Sequence, residues 1–367
     1  MTQNLALITT ALAAFAFCAS PARANPPEDA RPVDILLRES PAVTISNGLI
    51  DATVALPDAT RGFYRGTRFD WSGMITRLCH GGQRYYGPWF DLVSPSVRDF
   101  AYDGDTLIAS TASGATGPAE EFDPTDDPPG FAAAKPGESF IKLGVGVLQR
   151  PDAGEYDHYR AYEVLDHGRW RARRSGPHSV EFLQEIDDPH SGYAYRYLKR
   201  IDLSPGTARM VISHTLENRG KRPIQSSLYD HNFLTLDDHP TQQGLLLAAP
   251  FAIAPGIATS DAAVAGNQLT LARTPAAHTS IAFEIAGFGP DAKDYRLDIT
   301  SADGRATVGV SGDTPLAKVQ FWSIPRVVAA EPYIRIDVAA GHSQSWRYVY
   351  TYRTAAAGKA AGPGCPP

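Results

Sequence analysis

Cysteine and clustered charge are scarce in this sequence. Its 367 residues include three cysteines, Cys18, Cys79 and Cys365, and the spacing of the last two gives little reason to expect a disulfide. The fold must therefore depend on its core. Acidic residues outnumber basic ones by 40 to 34, and no long basic stretch is present. Electrostatic binding to nucleic acid or to anionic lipid is not indicated.

Several common catalytic and cofactor motifs are also missing. No Gly-x-Ser-x-Gly segment supplies the strained turn of a serine hydrolase. Gly144-Val145-Gly146 lies in an alternating segment that does not lead into a helix, which argues against a dinucleotide site. No internal repeat is visible, which argues against a propeller or a solenoid.

The first residues predict export. Residues 5–17 form an apolar run that is too short for a permanent membrane helix, and Ala22-Arg23-Ala24 has the small-x-small pattern of a cleavage site. Phe17 is too bulky to precede a lipid-modified Cys18. We expect a cleaved signal peptide at 1–24, a periplasmic or secreted protein that begins near Asn25, and no membrane anchor.

Strand-like alternation dominates the rest of the chain. Val43–Ser46 and Leu49–Val54 flank Asn47-Gly48 as in a hairpin, and Tyr193–Ile201 presents a tyrosine face. A closing strand is expected within His342–Tyr352. Apart from the leader, no long segment has a helical apolar stripe. The sequence predicts an all-β fold, a large antiparallel β-sandwich, as one domain over residues 25–354 with a disordered tail at 355–367.

A first polar cluster, Arg65–Gly73, combines arginines with Asp70 and Trp71. An aromatic ring beside guanidinium donors and a carboxylate could bind the C–H face and the hydroxyls of a sugar, with Arg68 and Trp71 as the contacts. The alternative is a strand whose tryptophan packs in the core while arginine and aspartate pair at the surface.

A second cluster contains Glu120 and Glu121. Adjacent strand residues point to opposite faces, so the two carboxylates cannot serve one site unless the backbone turns. We expect Glu121 to accept hydrogen bonds from sugar hydroxyls and Glu120 to be solvated. The alternative is that both lie at the surface.

The third cluster, Ser226–His239, contains several titratable groups. His231 could act as an acid or a base near neutral pH, with Asp230 or Asn232 orienting it. Asp237, Asp238 and His239 add possible metal ligands, but their spacing matches no closed zinc site and we expect no metal. A structural, half-buried histidine is the alternative.

A resemblance to the aldose 1-epimerases of the galactose-mutarotase superfamily joins these clusters. Tyr229–Leu236 resembles the strand on which that family carries a histidine that protonates the ring oxygen. Ala330–Tyr333 resembles the Glu-Pro segment that carries its catalytic base, and Gly73–Leu78 with Gln83–Gly87 resembles its first hairpin. The likeness runs from about Asn47 to Tyr352.

The resemblance implies a galactose mutarotase-like supersandwich that acts on a sugar without a cofactor. Glu331 would remove the proton from O1 and His231 would protonate O5, so both are expected to line one pocket. The family's Asn-Arg pair and second histidine are not found in register. The expected substrate contacts are therefore Arg68, Trp71, Glu121 and Asn232.

Three functions remain open at this point. The leading one is interconversion of the anomers of a free sugar. The second is a lyase or hydrolase that processes polysaccharides, and the third is a noncatalytic, exported carbohydrate-binding protein. The expected partner is a mono- or oligosaccharide in each case, and the sequence does not indicate an oligomeric state.

Overall fold

The computed structural model describes residues 26–124, 126–237, 241–254 and 260–355. The predicted signal peptide 1–24, the predicted tail beyond Ala355, and the possible metal ligands Asp238 and His239 lie outside these residues. No helix in the described part of the chain is long and apolar enough to cross a membrane.

Strands make up most of the described structure. One α-helix, α1 (Val33–Glu39), lies near its start, and 3₁₀ helices form at Phe131–Ala133 and Ala292–Asp294. The strands in chain order are β1 (Arg31–Pro32), β2 (Ala42–Ser46), β3 (Ile50–Ala55), β4 (Ile75–His80), β5 (Gln83–Tyr86), β6 (Leu92–Ser94), β7 (Phe100–Asp103), β8 (Thr106–Ser110), β9 (Gly117–Phe122), β10 (Ser139–Lys142), β11 (Gly146–Gln149), β12 (Val164–Asp166), β13 (Arg169–Arg174), β14 (Ser179–Asp188), β15 (Tyr193–Leu203), β16 (Arg209–Asn218), β17 (Ile224–Phe233), β18 (Leu246–Ala248), β19 (Ala262–Ala265), β20 (Gln268–Leu271), β21 (Ile281–Glu284), β22 (Arg296–Thr300), β23 (Ala306–Gly312), β24 (Lys318–Ile324), β25 (Val327–Val338) and β26 (Ser343–Thr354).

Two antiparallel sheets form the sandwich. The larger sheet has ten strands in the order β13-β14-β15-β16-β26-β23-β22-β18-β20-β19. The smaller sheet has five strands in the order β21-β24-β25-β17-β9. Three short sheets, β2-β3-β4-β5, β1-β6-β8-β7 and β10-β11-β12, complete the described structure. The predicted all-β sandwich is confirmed.

Alternation along the strands determines which side chains fill the space between the two sheets. Trp346, Tyr348 and Tyr350 occupy alternate positions of β26 and are buried. Phe122 of the smaller sheet packs edge-on against Tyr197 of the larger sheet, with ring centroids 5.7 Å apart. Burial of apolar area stabilises the fold by about 25 cal/mol per Å², so these large rings are a main source of its stability.

The expected early hairpins are present, with one shift. The Asn47 N–H donates to the Ile50 carbonyl at 3.2 Å, so the turn residues are Gly48 and Leu49 and not Asn47 and Gly48. The positive φ of Gly48, 83°, suits this tight turn.

Cys79 of β4 is disulfide-bonded. The expectation that the cysteines form no disulfide was therefore wrong at this residue.

Candidate active site

One face of the smaller sheet carries polar side chains in rows that cross its strands. In the first row Glu121 of β9 lies opposite Tyr229 of β17, and Tyr229 lies opposite Tyr333 of β25. Lys318 of β24 lies opposite Tyr333 and completes the row. The tyrosine rings stack with centroids 4.7 Å apart. The order of the strands thus places Glu121 and Lys318 at the two ends of a row, with the rings of Tyr229 and Tyr333 between them.

The neighbouring row contains His231 and Glu331. His231 is paired with Ala119 on one side, and Glu331 is paired with Gln320 on the other. His231 Nε2 lies 3.3 Å from Glu331 Oε1, and the two side chains are 7% and 5% exposed. The structure therefore brings the two predicted catalytic residues into contact on one face, although a hundred residues separate them in sequence.

Aromatic rings surround His231. Its ring stacks on Phe233 with centroids 3.7 Å apart, and the rings of Trp322 and Phe69 meet it edge-on at 5.3 and 6.1 Å. Nδ1 of His231 is buried and has no hydrogen-bond partner among the described residues. The imidazole is held by packing, and Glu331 is its polar neighbour.

Burial changes the protonation of this pair. It raises the pKa of Glu331 from 4.5 to about 8, against the positive charges of Arg68 and Lys318. Burial, together with the charge of Arg68, holds the pKa of His231 well below 6.5. At neutral pH the pair therefore carries a single titratable proton. In the free protein this proton resides on the Glu331 carboxyl group, and His231 is a neutral imidazole.

Glu121 is also buried but remains an anion. Its carboxylate accepts hydrogen bonds from Arg68 Nε at 2.8 Å, from the Tyr229 hydroxyl at 2.7 Å and from His158 Nδ1 at 2.8 Å. Burial alone would raise the pKa of Glu121, but the charge of Arg68 and the bond from His158 outweigh it and hold the pKa well below its usual range.

Arg68 is fully engaged within the protein. Besides the bond to Glu121, it donates from its terminal nitrogens to the Tyr229 hydroxyl at 2.8 Å and to Ser113 Oγ at 3.2 Å. Its guanidinium also lies over the ring of Tyr159, 4.8 Å from the centroid. Each of its three nitrogens thus has a protein partner, so Arg68 organises the wall of the site.

The structure does not bring Trp71 or Asn232 to the pair. Trp71 is 3% exposed, and its indole N–H donates to the Gly66 carbonyl at 2.7 Å. Asn232 and Asp230 are sequence neighbours of His231 in one strand, so they point to the opposite face of the sheet. The expectation that one of them orients His231 was wrong for this reason.

The residues that point to the opposite face form a charged cluster between the two sheets. Lys199 forms ion pairs with Glu120 and, at 3.3 Å, with Asp70. His214 Nε2 lies 2.9 Å from Glu120 Oε1. Asp230 accepts a hydrogen bond from Tyr350, and burial raises its pKa to about 8. Glu120 was expected to be solvated, but it is buried. Asp70, for which a surface ion pair was the alternative, is buried as well.

Sequence reasoning missed His158, Tyr159 and the contributions of β24. His158 and Tyr159 lie in the irregular segment between β11 and β12, which also contains Tyr156 and Tyr162. This concentration of aromatic residues between two strands was a signal of a structured loop. Alternation in β24 places Lys318 on the same face as Gln320 and Trp322, which the sequence pattern could also have indicated.

Among the described residues, neither a metal-ligand group nor one of the two described pockets includes His231 or Glu331. Within the described ranges, no group of three or more histidine, cysteine or acidic side chains could hold a metal ion. A separate pocket of about 200 Å³ lies around Thr235, Thr241 and Arg305, and neither His231 nor Glu331 lines it. The candidate site is therefore the His231–Glu331 pair on the sheet face described above.

The fold of this chain is similar to that of several solved structures. The Slr1438 protein from Synechocystis sp. PCC 6803 aligns with a TM-score of 0.50 and 13% identity, over 86% of this chain and 96% of that one. The aldose epimerase homologue from C. elegans aligns with a TM-score of 0.49 and 10% identity, over 86% of this chain and all of that one.

A galactose mutarotase-like protein from Clostridium acetobutylicum aligns with a TM-score of 0.49 and 11% identity, over 86% of this chain and 95% of that one. No protein-family model and no curated protein matches the chain. At these identities the likenesses concern the fold alone, and an activity can be inferred only from the residues of the site.

Proposed function

We propose that this protein interconverts the anomers of a free sugar by opening and reclosing the sugar ring, with His231 and Glu331 exchanging the protons. The observation that supports the proposal is the 3.3 Å contact between imidazole and carboxyl groups that together carry one proton. Trp322 and Tyr333 lie on the same sheet face and are of the residue types that pack against the C–H face of a sugar, although they are 7% and 6% exposed in this conformation.

Ring opening moves two protons without changing their total number. A base takes the proton from O1 while an acid delivers one to O5, the C1–O5 bond breaks, and the aldehyde rotates before the ring recloses. Transfer of the shared proton from Glu331 to His231 creates the carboxylate and the imidazolium that these two roles require. Ring opening leaves Glu331 protonated and His231 neutral, ring closure reverses both transfers, and the proton then passes back from His231 to Glu331, so the cycle consumes no cofactor.

The proposal includes an exported protein and a mono- or oligosaccharide partner. Export is supported by the leader at 1–24, and mass spectrometry of the exported chain tests it, with Asn25 as the expected first residue. A retained leader or lipid on Cys18 would contradict it.

Of the four expected substrate contacts, Glu121 and Arg68 contribute by shaping the wall of the sugar site. Their polar atoms are already occupied by hydrogen bonds within the protein.

The test is anomeric exchange measured by NMR or polarimetry on freshly dissolved monosaccharides. Glu331→Gln and His231→Asn should each lower the rate on the order of a hundredfold while leaving most of the binding intact. Glu155→Gln and His190→Asn are matched controls, because both wild-type side chains are exposed. Full activity in both site variants would rule out this mechanism.

The pH dependence adds a second readout. The rate should be highest where the pair holds one proton, a window that extends from well below pH 6.5 up to about pH 8. Above about pH 8 the pair loses this proton, so the rate should fall about tenfold per pH unit. A decline that begins near pH 6.5 would instead indicate that the proton is held by an imidazole with its ordinary pKa.

One observation favours carbohydrate binding without turnover as the second candidate. The His231 and Glu331 side chains are only 7% and 5% exposed, so a sugar reaches little of the pair in this conformation. Saturable sugar binding with no anomeric exchange would select this function.

A parallel digestion screen with oligosaccharides tests the polysaccharide-processing alternative. Release of shorter products would select that alternative.

A further inference from the structure

Lys318 is a cation beside the proposed active site. It is half-buried in β24, and its Nζ lies over the Tyr333 ring, 5.0 Å from the centroid. Among the residues that the structure describes, no carboxylate forms an ion pair with it. Contact with an aromatic face partly replaces water around the ammonium group but does not neutralise its charge.

Two arginines in this region have carboxylate partners. Arg68 is paired with Glu121, and Arg98 is paired with Asp157. Lys318 therefore differs from the other two by its lack of a partner, and not by its exposure alone. A positive charge that is half-desolvated and unpaired attracts an anion more strongly than an exposed, paired one.

The position of Lys318 relates it to the acid–base pair. Lys318 lies opposite Tyr333, and Glu331 occupies the next position on the same face of β25, so Lys318 and Glu331 are diagonal neighbours. Such neighbours lie about 7–8 Å apart, which one pyranose ring and its exocyclic substituent can span. The charge of Lys318 also acts on Glu331, since it opposes the rise in the pKa of that carboxyl.

The chemistry of one ammonium group favours a carboxylate over a phosphate. Phosphates are typically held by arginine forks or by several donors together, whereas the guanidinium of Arg68 is occupied within the protein. We propose that the substrate is a carboxylated sugar of the hexuronate class, whose carboxylate binds Lys318 while its anomeric centre lies at His231 and Glu331. This inference rests on the proposed function of the same site.

The experiment compares substrates of different charge. Anomeric exchange and binding are measured for glucuronate and galacturonate, for glucose and galactose, and for glucose 6-phosphate. A uronate should have a kcat/KM at least tenfold above that of the neutral hexose of the same configuration. Raising the NaCl concentration from 0.05 to 0.5 M should reduce this preference, because salt screens the charge of Lys318.

Lys318→Met should lower the preference for the uronate over the neutral hexose about tenfold, and Lys318→Arg should retain most of it. Lys221→Met is the matched control, because Lys221 is exposed and far from β24 in sequence, and it should leave the preference unchanged. An unchanged preference in Lys318→Met would overturn the inference. A stronger preference for glucose 6-phosphate would overturn the choice of a carboxylate.

The outcomes separate this inference from the proposed function. Exchange of neutral hexoses with no preference for uronates would leave the proposed function standing and refute the carboxylate site. Uronate binding that is lost in Lys318→Met, without any exchange, would support the carboxylate site and refute the mutarotase mechanism. Absence of both binding and exchange would overturn the two together.

Discussion

Glu331→Gln should stabilise the protein in alkaline solution, although it removes a proposed catalytic group. Below pH 4.5 the carboxyl is protonated in both the folded and the unfolded states, so its titration has no effect on stability. Between pH 4.5 and about 8 the unfolded chain ionises Glu331 while the folded protein keeps the proton. The free energy of unfolding then falls by about 1.4 kcal/mol per pH unit.

The accumulated loss reaches about 5 kcal/mol once the pH exceeds about 8, where the folded protein also ionises Glu331. Glutamine has nearly the same shape and does not titrate, so the variant does not show this loss. Asp230 and Asp123, whose pKa values burial raises to about 8 and about 7, add further alkaline instability. Their contributions are the same in both proteins and cancel in the difference.

Urea unfolding at pH 5, 7 and 9 measures this difference. The variant should have nearly wild-type stability at pH 5 and exceed it by several kcal/mol at pH 9, with Glu155→Gln as the exposed control. A difference that stays constant from pH 5 to pH 9 would show that Glu331 is ionised in the folded protein. The single shared proton, and with it the proposed pH window of activity, would then be refuted.

Two further substitutions test the buried charges. Lys199→Met should lower the free energy of unfolding by about 3–5 kcal/mol, because Asp70 and Glu120 would lose their shared counter-charge. Urea titrations measure this loss, and a loss below about 1 kcal/mol would contradict the reasoning. Arg68→Ala should cost a similar amount, because buried Glu121 would lose its guanidinium partner and keep only its contacts with His158 and Tyr229. Wild-type melting of this variant would show that Arg68 is not needed for the fold.

The strands could be predicted from the sequence because alternation depends on which residues share a face, and this is a local property. The closing strand His342–Tyr352 and the hairpin around Gly48 were expected for that reason. The shift of the turn to Gly48 and Leu49 was not, since it depends on the Asn47 side chain, whose Oδ1 accepts bonds from the backbone N–H groups of Leu49 and Ile50.

The location of the polar clusters was harder to predict. Alternation showed that Glu120 and Glu121 face opposite sides but not that both sides are buried. Glu120 is buried because Lys199 of the larger sheet reaches it across the sandwich, and Glu121 because Arg68 and His158 cover it. Each partner comes from a distant strand or loop, so no local pattern in the sequence contains the information.

Two buried glutamates in neighbouring rows of one sheet face differ in their pKa. Glu121 and Glu331 are similarly desolvated, yet the pKa of Glu121 is held far below its usual range while that of Glu331 is raised to about 8. The difference arises from their partners, since Glu121 receives the guanidinium of Arg68 whereas Glu331 has a neutral imidazole. A carboxyl group without a counter-charge can give up and regain a proton near neutral pH, which an anion held by arginine cannot do. The arginine on Glu121 therefore suits a structural role for that carboxylate, and the lack of one on Glu331 supports the proposed proton exchange at that residue.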